Sequence, residues 1–270
     1  MLTDWIIYQD THLLVINKPA GLIVNSATSH SQVSLQQQLA AYLGLPDPPP
    51  DLIPDQYSSP EQTFLFRQGM VHRLDKDTSG LLLWAKDPDT LGSLLAQFQK
   101  RQVAKTYLAL CHGILHPDTG RICLPLGRKS GKRQLISVRP DGKPALTYYQ
   151  VQQLFYHFDA TRLLSLLPAT PRRFHTRDLQ QLYQGFSLLA LQPRTGRTHQ
   201  LRAHLTHLGH PLVADTAYLP ARKAKLDPYW CPRQFLHASR LEFTHPSTQQ
   251  RLTFTSALPS DLQAVLTYLS

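Results

Sequence analysis

One junction constrains this chain more than any other. His72-Arg73-Leu74-Asp75-Lys76-Asp77-Thr78-Ser79-Gly80 runs straight into Leu81-Leu82-Leu83-Trp84-Ala85. The apolar run has the length and composition of a short buried strand. A buried strand has no need of acids, bases and a histidine crowded at its entrance. A functional site does, because chemistry tends to sit on loops held by rigid elements. Arg73 and Asp75 are two residues apart, so on an extended segment both emerge on one side. Asp75 is therefore the candidate reactive group.

Several other chemistries fit the residues poorly. Asp75-x-Asp77-x-Ser79-Gly80 matches the first half of a calcium loop, but that loop needs a bidentate Glu at its twelfth position, which here is Lys86. His199, His204, His207 and His210 invite a zinc reading. The H-E-x-x-H arrangement is missing, residues 194 to 210 contain no carboxylate, and Arg194, Arg197 and Arg202 lie among the histidines. Packing and hydrogen bonding explain these histidines better, and no metal is expected. The chain has neither a G-x-S-x-G elbow nor a G-x-x-x-x-G-K-[ST] loop. Paired carboxylates for glycosidase chemistry would have to be Asp75 and Asp77, a weaker account that stays open.

Composition narrows the partner. The 270 residues carry 28 Lys and Arg against 18 Asp and Glu, a net charge of +10. That surplus points to a polyanion or else to a merely basic enzyme. Length allows one large domain or two smaller ones. No apolar run reaches the roughly 18 residues of a spanning helix, and the N-terminus lacks the pattern of a secretion signal. Cys111, Cys123 and Cys231 are far apart, without C-x-x-C pairing, which suits a reducing cytosol.

Along the chain, residues 5 to 24 read as a hairpin broken by Lys18-Pro19-Ala20-Gly21, which brings a lysine and bare backbone close to something. Ser34 to Leu43 and Asp89 to Gln102 have helical spacing, and the Pro-rich segment 45 to 60 reads as an exposed loop. Residues 104–113, 121–126, 145–154, 163–167, 186–191, 236–243 and 252–254 read as strands. Leu201, Leu205 and Leu208 form a helical stripe stopped by Gly209, and residues 258–269 form a closing helix. Gly127 to Arg133 reads as a flexible basic hairpin tip, suited to a phosphate backbone or simply solvated. Pro168 to Asp178 is a second basic loop. The pattern predicts an α+β chain around a central mixed or antiparallel sheet with flanking helices.

The nine residues from His72 to Gly80 resemble the signature of the RluA family of pseudouridine synthases. Four further pieces appear in that family's order: Asn17 to Leu22, Ala104 to Ala109, Gly142 to Thr147, and Gly196 to His204. Leu236-His237-Ala238 followed by His245-Pro246 resembles its closing strand. The resemblance spans residues 13 to 246. It implies the pseudouridine synthase catalytic fold around an RNA-binding cleft, and isomerisation of uridine in structured ribosomal or transfer RNA without cofactor or metal.

The resemblance also implies residue roles. Asp75 corresponds to the catalytic aspartate, acting on the C1′/C2′ region of the ribose. Arg197 corresponds to the cation that keeps that carboxylate charged, and Tyr107 to the tyrosine that stacks on the base. Arg73 corresponds to the residue filling the gap left by an extruded nucleotide, where a planar cation offsets part of the unstacking cost; an ion pair with Asp77 is its plainer alternative. Arg202, Lys105 and Lys18 are further candidates for substrate contact. Arg128, Lys129, Lys132, Arg133, Arg172 and Arg173 are candidates for the RNA backbone. The expectation is one catalytic domain over 1–270, without the separate N-terminal RNA-binding module of many relatives, with local insertions at 45–62 and 155–180. A cytoplasmic monomer is expected. An RNA-binding assembly factor of the same fold is the alternative function.

Overall fold

The computed structural model describes residues 2–25, 33–48, 59–129, 131–168 and 175–270, with residues 132–134 described by their backbone alone. In chain order the elements are β1 (Ile6–Gln9), β2 (Leu13–Lys18), α1 (Leu35–Leu43), α2 (Pro60–Arg67), β3 (Ser79–Ala85), α3 (Pro88–Gln99), β4 (Ala104–His112), β5 (Thr119–Cys123), β6 (Leu126–Lys129), β7 (Lys132–Val138), β8 (Leu146–Phe155), α4 (Ala160–Leu166), α5 (Thr176–Leu182), β9 (Phe186–Pro193), α6 (Gln200–His207), α7 (Ala221–Leu226), β10 (Leu236–Thr244), β11 (Arg251–Thr255) and α8 (Ser260–Leu266). The chain forms two compact units, Met1–Lys105 with Ala238–Ser256, and Thr106–His237 with Ala257–Ser270. Among the described residues no helix is long and apolar enough to cross a membrane.

In the first unit the strands follow the order β1-β2-β3-β10, with β11 paired to β10. The Asp10 carboxylate accepts the backbone N–H groups of His12 (2.7 Å) and Leu13 (2.8 Å) and so closes the turn between β1 and β2. β2 and β3 pair antiparallel from Leu13 opposite Ala85 to Lys18 opposite Gly80. All seven residues of β3 are buried, as its apolar run predicts. Leu81 and Leu83 pack with Leu91 and Leu94 of α3 and Phe243 of β10. Sequence pattern also placed α1, which Ser34 caps by accepting the Gln37 N–H. It missed α2, which starts at the end of the Pro-rich segment. Ser59 caps it and Pro60 occupies the first turn, where a missing N–H costs nothing.

In the second unit the order is β4-β9-β8-β5, and β6 and β7 form a separate antiparallel hairpin. The registers of β4 with β9, β9 with β8 and β8 with β5 are antiparallel. An aromatic core of Phe158, Tyr183, Phe186, Trp230 and Tyr268 lies beneath them. One expected strand is a helix: residues 163–167 belong largely to α4. The Asp159 side chain accepts the Arg162 N–H at its start, and fully buried Leu163 shares the core with Leu164 and Leu167 at helical spacing. The second basic loop is shorter than expected, because α5 begins at Thr176. Arg172 and Arg173 lie outside the described residues. The basic tip at 127–133 is mostly strand, with Lys129 opposite Lys132 across the turn.

Candidate active site

In the first unit, residues 71–75 lie outside any helix or strand and lead through a turn at Lys76-Asp77 into β3. Val71 and Leu74 are buried, Asp75 is half-buried and Arg73 is exposed. The Thr78 N–H donates to the Asp75 carbonyl at 3.1 Å and closes the turn. A guanidinium nitrogen of Arg73 lies 3.4 Å from Oδ1 of Asn25.

Three backbone devices hold this segment. Gly80 has φ +111°, and a Cβ there would fall 2.3 Å from the Ala238 carbonyl oxygen of β10. The glycine of the motif is thus a requirement of strand packing. The Lys18 Nζ donates to the carbonyls of Pro19 (2.7 Å), Leu22 (3.0 Å) and Lys76 (2.9 Å). The Gly21 N–H donates to the same Lys76 carbonyl at 2.9 Å. His72 supplies the third device: its Nε2 accepts the Leu83 N–H at 3.1 Å, which leaves the ring proton on Nδ1. Burial first, and then the charge of Lys105, push the His72 pKa down to about 3.

Lys18 was expected at the substrate. It is fully buried, and three carbonyls meet the three protons of its ammonium. It is a clamp on the reactive loop. Lys18→Met is accordingly expected to remove roughly 3–5 kcal/mol of stability, lowering the melting midpoint by about 5–15 °C. An unchanged midpoint would leave Lys18 without this structural part. Lys105 stands beside this loop, with its Nζ 5.0 Å from the centre of the Phe98 ring; the ring of His72 is 4.8 Å from the same phenyl. Burial lowers the Lys105 pKa to about 8.

In the second unit, Tyr107 is buried on β4 opposite Leu191 of β9. Arg197 is exposed on the turn before α6. Its N–H donates to Oε1 of Gln200 (3.0 Å) and its Nε to the Pro144 carbonyl (3.3 Å). The Gln200 amide donates to the Leu146 carbonyl and to the Thr147 hydroxyl, both at 3.0 Å. Thr147 Oγ1 is 3.0 Å from Nδ1 of His204, whose Nε2 is 3.0 Å from the Leu124 carbonyl. A carbonyl only accepts, so Nε2 carries the proton and Nδ1 accepts from Thr147. Burial lowers the His204 pKa and keeps the ring neutral. The stretches 142–147 and 196–204 are thus bound to each other, and Arg197 is carried on their junction. Sequence reading left Gln200 and Thr147 without roles and gave His204 packing and hydrogen bonding, which the structure shows. A threonine inside an apolar strand and a buried glutamine opening a helix were the available signals.

Arg202, expected at the substrate, is paired within the second unit. It is buried, and its Nε and Nη2 donate to the two carboxylate oxygens of Asp215 at 2.7 and 2.8 Å. A buried bidentate pair leaves the guanidinium fork committed. Arg128 and Lys129 are exposed on β6, and Lys132 and Arg133 lie on β7.

Comparison with known proteins places the chain. Residues 12–207 match the family model described as RNA pseudouridylate synthase. The chain belongs to that family. An "Uncharacterized RNA pseudouridine synthase" of Chloroflexus aurantiacus is 38% identical over 253 residues, covering 94% of this chain and 65% of the relative. The "Ribosomal large subunit pseudouridine synthase D" of Pseudomonas aeruginosa is 35% identical over 98% of this chain and 71% of its own. The chain therefore spans about two thirds of the length of these relatives. The solved structure of "Human RNA Pseudouridylate Synthase Domain Containing 1" superposes with a TM-score of 0.65 at 26% identity, covering 96% of this chain and 86% of the human one. The fold is thus the α+β pseudouridine synthase fold. RNA pseudouridine synthases are isomerases acting on RNA, and this chain carries their signature.

Proposed function

We propose that this chain isomerises uridine to pseudouridine in large-subunit ribosomal RNA, with its two units working as one catalytic domain. In that reaction the bond from N1 to C1′ breaks, the bond from C5 to C1′ forms, the C5 proton leaves and N1 gains one, so no oxidation state changes overall. Asp75 supplies the carboxylate that acts at the ribose. Arg197 takes the part of the family's active-site cation, and Tyr107 offers a flat face to the base. Arg73 fills the stack from which the nucleotide is drawn, and Lys105 contacts substrate beside it. The observation that carries the reading is the half-buried Asp75 on a loop fixed through backbone groups by Lys18, Gly21 and His72. Such a loop holds a reactive side chain on a fixed backbone.

The ribosomal substrate is suggested by the name of the Pseudomonas relative. The test is release of tritium from C5-labelled uridine in unmodified large-subunit ribosomal RNA. No release from this RNA, with release from transfer RNA, would move the substrate and keep the reaction. Binding without release from either would favour an assembly factor, and free uracil a glycosidase.

The exposed Arg128 and Lys129 of the β6–β7 hairpin support a backbone grip. Replacing Arg128, Lys129, Lys132 and Arg133 by alanine is expected to weaken RNA affinity. The slope of log K against log salt should fall by up to about 0.9 for each phosphate that the variant no longer neutralises. An unchanged slope would leave these residues as solvated surface.

A further inference from the structure

Tyr218 belongs to none of the motifs above, yet the hairpin, α6 and the turn after it meet on this one side chain. Its hydroxyl accepts the Ile136 N–H of β7 at 3.0 Å. The same oxygen lies 3.1 Å from Nδ1 of His199, and the two rings meet edge to face at 5.9 Å. His199 is the left-handed residue (φ +50°) that opens α6, two positions after Arg197. The Arg202 guanidinium of α6 lies 5.0 Å from the centre of the tyrosine ring. The backbone is held as well: the Tyr218 N–H donates to the Asp215 carbonyl at 2.9 Å, and Asp215 is the carboxylate fixed by Arg202. The ring packs with Leu126, Ala145, Ala203, Ile136 and Val138, the small core under the hairpin.

The body of Tyr218 is therefore anchored to α6, and its hydroxyl is the polar joint between the hairpin backbone and the residue that sets the Arg197 turn. The one oxygen thus meets both the hairpin backbone and the His199 ring. We propose that the Tyr218 hydroxyl is a positioning link, through which RNA seated on the β6–β7 hairpin orders the turn that carries Arg197. This rests on the reading of Arg197 as catalytic and of the hairpin as RNA surface. Coupling of this kind has to be measured directly, because spatial adjacency alone does not establish it.

Tyr218→Phe removes the oxygen and keeps the ring, its core packing and the Arg202 stacking. With saturating large-subunit ribosomal RNA, the variant is expected to release tritium about tenfold more slowly in a single turnover. Its dissociation constant for the same RNA should stay within about twofold of the wild type, because the hairpin cations remain. Amide hydrogen exchange supplies a readout independent of turnover. In the wild type, the RNA should slow exchange both at 132–138 and at 195–200; in Tyr218→Phe it should slow exchange at 132–138 alone. Equal protection of both segments in the variant, or an unchanged single-turnover rate, overturns the link. If the wild type releases no tritium, the proposed reaction fails, and the exchange pattern alone then decides whether the link stands.

Discussion

Asp75→Asn is expected to abolish C5 tritium release, with a loss of at least about 10⁴-fold in kcat/KM, equivalent to more than about 5 kcal/mol of transition-state stabilisation. The change replaces one oxygen by an amide nitrogen of nearly the same size. What it removes is the carboxylate proposed to attack C1′ or to take a proton from C2′; the other carboxylate of the loop, Asp77, is exposed on the turn beyond it. His72 is neutral and engaged with Leu83, and the Lys76 carbonyl is occupied by Lys18 and Gly21. The loop's shape is set by those backbone bonds and by buried Leu74. The variant should therefore fold, melt within a few degrees of the wild type and bind RNA with the same salt slope. Residual turnover within tenfold of the wild type would remove Asp75 from the chemistry. A melting midpoint lowered by more than about 10 °C would instead mark the carboxylate as structural.

The local pattern made the loop legible. The apolar run after Gly80 is the buried strand its composition demands. Side-chain destinations were less legible where the partner is distant in the chain. Lys18 reaches Lys76 across 58 residues, and a lysine before Pro-Ala-Gly reads the same whether it faces RNA or carbonyls. Arg202 meets Asp215 only because the chain turns back beyond α6. Residues 163–167 fail for another reason. Five mostly apolar residues fit either period, and the Asp159 cap decides for a helix. At α2 the signal was present, since Ser59-Pro60-Glu61 is a helix start, but the Pro-rich stretch before it drew the whole segment towards loop.

The largest effect on stability is expected far from Asp75 in sequence, at Asp227. This carboxylate is fully buried. Oδ2 accepts from Nε2 of His112 at 2.8 Å and from the Ala214 N–H at 2.9 Å, and Oδ1 accepts from the Tyr183 hydroxyl at 2.8 Å. Asp227→Ala leaves three donors unpaired among Phe186, Trp230 and Leu226. Each orphaned donor costs about 1–3 kcal/mol, against a total stability of roughly 5–15 kcal/mol. The melting midpoint should fall by at least about 10 °C. Asp227→Asn should be milder, because its amide nitrogen can face Tyr183, whose hydroxyl is able to accept, while the remaining oxygen serves His112 and Ala214. Equal losses in both variants would refute this assignment of the bonds. The same cluster sets an acid limit. Burial lowers the His112 pKa despite the opposing pull of Asp227, and burial likewise lowers that of His204. Below the ordinary histidine value of about 6.5 the unfolded chain then binds more protons than the folded one. Stability is complete above that pH and falls on acidification, by up to about 1.4 kcal/mol per pH unit for each ring. His112 ends β4, the strand that carries Tyr107, so loosening Asp227 is expected to reach that strand as well as the core beneath it.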